Sequence, residues 1–228
     1  MSKFVDIAAI LSLAIEAEHS ASASYEELAK KVDEIKPELF NKPQMNNISW
    51  GSDVSFYKDL EEKVLGTESA SSFYKNLPPK ITNDDGVYFY KSLVDRFTGD
   101  VKGMFLSMSK DELNHAEIFK KILSDVEIGD ENKAFSNDIL DFLEKHSNDM
   151  KIKVDIAAPS SVLNVLDEAV LAEQRAVKFY GGMIPYANKG AIEILERIIN
   201  EEKGHEARLR TQIGNYKLLI DVSTGVAY

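Results

Sequence analysis

The chain has 228 residues, 44% of them hydrophobic and 29% charged, enough to bury a substantial core as a soluble globular protein. Its formal charge of -11 argues against a nucleic-acid or anionic-membrane partner, both of which need clustered Lys and Arg. The absence of cysteine excludes disulfides, zinc ribbons, iron–sulfur clusters and thiol nucleophiles together.

The first predicted element is a helix over about 3–32, where Ile7, Ile10, Leu11, Ala14, Ala17, Ala21 and Tyr25 recur at three- and four-residue steps. Its apolar stretch is interrupted by Asp6 and Glu16, so no signal peptide is expected. No run of about 18 apolar residues follows anywhere, so no transmembrane helix is expected either, and a cytoplasmic location is the default expectation. A stretch over about 33–85 then holds four of the six prolines and the only tryptophan, Trp50, with short helices expected at Val54–Val64 and Ser69–Tyr74. A second long helix is predicted over about 86–123, carrying Tyr90, Leu93, Val94, Phe97, Val101, Phe105 and Met108 on one face.

The connection over about 124–159 is long, with a short helix expected near Asn137–His146. A third helix over about 160–187 follows Pro159, with Ser160 or Ser161 as its N-cap; Gly181, Gly182 and Pro185 are expected to fray or kink its end. The fourth runs over about 190–219 through Ile192, Leu195, Ile198, Ile199 and Leu209. Two helical hairpins joined by a long crossover predict a single all-α domain, a ferritin-like antiparallel four-helix bundle with a large insertion between its first two helices.

An internal repeat locates the chemistry. Leu11–Tyr25 aligns with Leu166–Tyr180 at six identities in fifteen positions, pairing Glu18 with Glu173, each followed by Ala at +3 and Tyr at +7. Ser109–Phe119 aligns with Ile199–Leu209, which brings Glu112-x-x-His115 onto Glu202-x-x-His205. The spacing from lone Glu to Glu-x-x-His is 94 residues in the first half and 29 in the second, as expected for one helical hairpin doubled, with an insertion in its first copy.

A Glu and a His at i, i+3 project from one helix face, so a single helix can supply a bridging carboxylate and a terminal imidazole. The lone glutamates of the other two helices complete a set of four carboxylates and two imidazoles for a pair of metal ions: Glu18, Glu112, His115, Glu173, Glu202 and His205. A solvated acidic face is the competing reading. It fails because Glu18 and Glu173 sit among Ala14, Ala17, Ala21, Ala169, Ala172 and Ala176, where an unpaired carboxylate is costly. Glu16-x-x-His19 is set aside as a decoy, because its repeat counterparts are Leu171 and Gln174; His19 is expected at the surface or beside a ligand, and His146 at the surface. Tyr25 and Tyr180 are either core residues or hydrogen-bond donors to a ligand carboxylate. Glu168, Glu201 and Glu206 fall on a solvated face in this phase, with an extra ligand among them left open.

With the segments AEHSASASY, DELNHAEIF, AEQRAVKFY and EEKGHEARL, the sequence resembles the rubrerythrin group of the ferritin-like superfamily over its four long helices. That resemblance implies a di-iron carboxylate oxidoreductase acting on hydrogen peroxide or dioxygen, with Glu112 and Glu202 the bridging pair. A ferroxidase or iron-handling role and a metal-stabilised bundle acting through partners are the alternatives. Two iron ions are expected, manganese or zinc fitting the same donors. A homodimer is the expected assembly. The chain departs from the group's pattern twice. Rubrerythrins proper carry a cysteine-ligated rubredoxin domain, so a peroxidase without cysteine needs an external electron donor, and they have a further glutamate where this chain has Ala176.

Overall fold

A computed structural model of the protein describes residues 4–40, 54–66, 73–76, 78, 83–127 and 161–223. Among them are five α-helices: α1 (Phe4–Phe40), α2 (Val54–Leu65), α3 (Asn83–Glu127), α4 (Val162–Met183) and α5 (Lys189–Ser223). Short 3-10 turns lie at Phe73–Asn76 and Ile184–Tyr186, and no strand occurs among the described residues. No helix there is long and apolar enough to cross a membrane.

The long helices pack because their apolar stripes meet. Leu11, Ala14, Ala21, Leu28 and Val32 of α1 join Leu93, Phe97, Val101, Phe105 and Met108 of α3, while Val165, Leu166 and Ala169 of α4 join Leu195, Ile198 and Leu209 of α5. Cross-helix contacts fix the directions. Tyr25 reaches Glu173 while Tyr180 reaches Glu18, a pairing that only antiparallel α1 and α4 allow. Likewise His115 meets Glu201 while His205 meets Asp111, which sets α3 antiparallel to α5. The end of α3 and the start of α4 therefore lie at opposite ends of the bundle, as a long crossover requires.

Several boundaries differ from the expected ones. The first helix continues past Val32 to Phe40, through Pro37, and Lys102 of α3 pairs with Asp33 just beyond the expected end. The Gly181–Gly182 pair does not end α4, which runs to Met183. Each helical Gly costs about 1 kcal/mol relative to Ala, less than the burial of the flanking Phe179, Tyr180 and Met183 contributes. Pro185 then coincides with the 3-10 turn. Ser161 caps α4, its Oγ accepting from the Asn164 N–H at 3.2 Å.

Helix α2 occupies the predicted Val54–Val64 segment, and a 3-10 turn stands at Phe73–Asn76, overlapping the end of the helix expected at Ser69–Tyr74. The expected helix at Asn137–His146, with His146 itself, lies outside the described residues. Tyr57, Leu60 and Val64 of α2 are buried, with Tyr57 edge-on to Phe89 of α3. Buried Glu61 of α2 pairs with Arg96 of α3 and accepts the Tyr74 backbone N–H at 3.2 Å. At about 1.5 Å of rise per residue, Arg96 stands roughly 24 Å along α3 from Glu112, so α2 extends the core at the bundle end remote from the acidic cluster.

Candidate metal centre

Each of the four long helices delivers its predicted side chains to one buried layer. Glu18, Glu112, His115 and Glu202 form one group and Glu112, Glu173, Glu202 and His205 a second, with the ligand atoms of each group within 4.8 Å of one another. All six side chains are buried, in a layer lined by the alanines that flank Glu18 and Glu173.

Glu112 and Glu202 belong to both groups, and their oxygens divide between them. His115 Nδ1 lies 3.2 Å from Glu112 Oε2 and 3.2 Å from Glu202 Oε1, with Glu18 Oε2 at 3.9 Å. His205 Nδ1 lies 3.2 Å from Glu202 Oε2, 3.4 Å from Glu173 Oε1 and 3.7 Å from Glu112 Oε1. One oxygen of each shared glutamate thus faces each imidazole, the arrangement a bridging carboxylate needs.

The outer face of each imidazole is held from the other hairpin. His115 Nε2 meets Glu201 Oε2 at 2.9 Å, and His205 Nε2 meets Asp111 Oδ2 at 3.2 Å. An ionised carboxylate only accepts, so each Nε2 carries the proton and each Nδ1 is left to face the cluster. Glu201 is correctly expected to be exposed, at 46% of its side chain, yet it is not a bystander. Asp111 was not anticipated. Its signal was available: the repeat aligns Asp111 with Glu201, an acid directly before each Glu-x-x-His. Arg208 stands 3.6 Å from Asp111 and Arg197 3.8 Å from Glu201.

Both tyrosines donate to carboxylates of the cluster. The Tyr25 hydroxyl bonds Glu173 Oε1 and the Tyr180 hydroxyl bonds Glu18 Oε1, each while stacked on a phenylalanine, Phe105 and Phe119 respectively. Burial, and then the Glu173 charge, raise the Tyr25 hydroxyl well above its ordinary range, so it remains a donor. His19 is exposed and joins neither group.

Burial and the neighbouring charges shift the groups of the cluster in opposite directions. Burial raises Glu18 and Glu112, and burial with the neighbouring Glu202 charge lifts Glu173 to about 8. Burial would also raise Glu202, but the imidazoles of His115 and His205 outweigh it and hold that carboxyl down at about 2. Burial disfavours both imidazolium ions. The surrounding carboxylates nonetheless raise His115 strongly, and Glu173 and Glu202 raise His205 to about 9.

Even so, Glu18 Oε2, both Glu202 oxygens and His205 Nδ1 are buried with no hydrogen-bond partner. Such orphaned atoms are costly in an interior. Four carboxylates and two inward-facing imidazole nitrogens suit two iron, manganese or zinc ions, and two divalent ions would balance the four negative charges. The donor set fits a metal pair.

A family model described as Rubrerythrin matches residues 83–213, more than half of the chain. The match takes in Glu112, His115, Glu173, Glu202 and His205 and leaves out α1 with Glu18, which is placed by the internal repeat and by the geometry. No curated protein and no solved structure matches the chain.

Proposed function

The chain belongs to the rubrerythrin family, and from that premise we propose that it is a di-iron carboxylate oxidoreductase reducing hydrogen peroxide or dioxygen. The observation that carries this reading is the division of Glu112 and Glu202 between two otherwise separate His–Glu groups. Iron ions held there would supply two electrons, which with two protons convert hydrogen peroxide to two waters or dioxygen to hydrogen peroxide. The chain's own part is to hold and insulate. Glu18 with His115, and Glu173 with His205, would hold one ion each, and Glu112 with Glu202, common to both groups, would be shared between them. Glu201 and Asp111 fix the imidazoles, and Tyr25 and Tyr180 orient Glu173 and Glu18. The apolar walls exclude bulk water. With no cysteine in the sequence, turnover draws electrons from a separate donor.

Buried Ala176 favours a second reading. It stands where the resemblance to rubrerythrins implies a further glutamate, leaving a six-residue set compatible with oxidation of Fe(II) as a substrate. One experiment addresses both. The protein is loaded anaerobically with two equivalents of Fe(II), then mixed with peroxide or oxygen in separate runs, while the near-ultraviolet absorption of diferric carboxylate sites is followed. Faster oxidation by peroxide supports the first reading. Uptake of many further irons per chain under oxygen supports the second. Failure to bind iron at all overturns both.

A further inference from the structure

The repeat relates the two halves of the cluster residue by residue, and one buried polar contact breaks the relation. Ser22, one turn after Glu18 on α1, and Ser109, one turn before Glu112 on α3, are both buried, with their Oγ atoms 2.9 Å apart. Their repeat counterparts are Val177, packed against the core, and Ile199, buried within it. Elsewhere around the cluster the halves agree: Ala21 with Ala176, Tyr25 with Tyr180, His115 with His205.

Two hydroxyls hold two protons, and a contact between them uses one. The other O–H meets no acceptor among the described residues, since the two serines bond only each other. Ser24 and Thr98 on the same helices behave differently, turning their hydroxyls back onto the Ser20 and Val94 carbonyls. A buried donor of this kind is costly unless something accepts from it. It lies one turn from Glu18 and Glu112, on the hairpin that supplies three of the four side chains of the Glu18–Glu112–His115–Glu202 group. The Glu173–His205 group has only Val177 and Ile199 at the matching place.

We propose that the Ser22–Ser109 pair donates a hydrogen bond to a small acceptor ligand, of the class of water, hydroxide, peroxide or a small anion, bound at the Glu18–Glu112–His115–Glu202 position. The two ion positions, alike in their donors, are thereby made unequal toward added ligand. This rests on the metal-centre reading and goes beyond it by choosing which position takes the ligand.

Cobalt(II) and azide are the probes, because the visible spectrum of cobalt reports ion occupancy and ligand binding separately. The full chain is loaded with two equivalents of cobalt and titrated with azide. Removing one hydrogen bond to an anion predicts azide affinity about tenfold weaker in Ser22→Ala/Ser109→Ala, at unchanged cobalt stoichiometry. Ser22→Thr keeps the hydroxyl on a β-branched side chain of the shape that Val177 presents in the other half, and retains wild-type azide affinity. Val177→Ala leaves it unchanged as well. Unaltered azide affinity in the double alanine variant, with two cobalt ions still bound, overturns the inference and reduces the pair to a tie between α1 and α3. Wild-type protein that binds cobalt but no azide overturns it equally. Failure of the wild type to bind cobalt instead defeats the metal-centre reading.

Discussion

His115, fully buried, is held at Nε2 by Glu201, a carboxylate 46% exposed on the opposite hairpin, at 2.9 Å. The repeat reproduces the relationship with the roles of the hairpins exchanged, Asp111 holding His205 at 3.2 Å. Each acid fixes the tautomer and rotation of an imidazole without belonging to either metal-holding group. Glu201→Gln and Asp111→Asn are therefore expected to keep a stoichiometry of two metal ions while weakening binding about 10- to 100-fold. Competition titration against a metal-sensitive dye measures this. Wild-type affinity in both variants would show that the outer contacts are incidental.

Glu202 has the opposite expectation, because it faces both imidazoles at 3.2 Å. Glu202→Ala should abolish binding of a metal pair, leaving one weak ion or none by mass spectrometry under native conditions. His19→Ala should leave the pair intact, since His19 is exposed and outside both groups. Loss of metal in the His19 variant would show that the first helix enters the site in a different phase.

What the sequence disclosed depended on whether a contact left a periodic trace. Glu18 was separable from Glu16 because Glu173, on a second alanine-lined face, marks the same repeat position. The structure brings all six nominated side chains into one layer and gives both tyrosines a carboxylate acceptor. Asp111 and Glu201 were harder, since their helical phase puts them at the edge of the bundle and only the reach of their side chains takes them to the histidines. Ser22 and Ser109 left no trace, because a hydrogen bond between residues 87 apart belongs to no motif. The seat of α2 was hidden for the same reason: it depends on Glu61 and Arg96, 35 residues apart on two separate helices that no repeat relates.

That α2 contact gives a stability prediction independent of metal. Arg96→Ala leaves the buried Glu61 carboxylate with only part of its partners, including the Tyr74 N–H. The expected loss is about 2 kcal/mol, below the range for a fully enclosed pair because the Arg96 side chain is 27% exposed. Denaturant unfolding measures the loss. Metal stoichiometry should not change, because the pair lies far along α3 from Glu112.

The shifted groups of the cluster dictate how the metal-free protein responds to pH. Glu173, lifted to about 8, and His205, lifted to about 9, both bind protons more tightly folded than unfolded. Their stabilisation is complete below their ordinary values of 4.5 and 6.5 and is lost as pH rises through 8 and then 9. The raised Glu18 and Glu112 act in the same direction. Glu202, held down at about 2, acts oppositely, its contribution being lost only as pH falls from 4.5 toward 2. Metal-free protein should therefore be most stable near about pH 5 and melt at progressively lower temperature toward pH 9. Metal must displace these same protons, so its affinity should rise across that window. Scanning calorimetry with and without zinc tests both halves of the argument: the two melting temperatures should diverge as pH increases. Parallel pH profiles would show that zinc and these protons do not compete for one site.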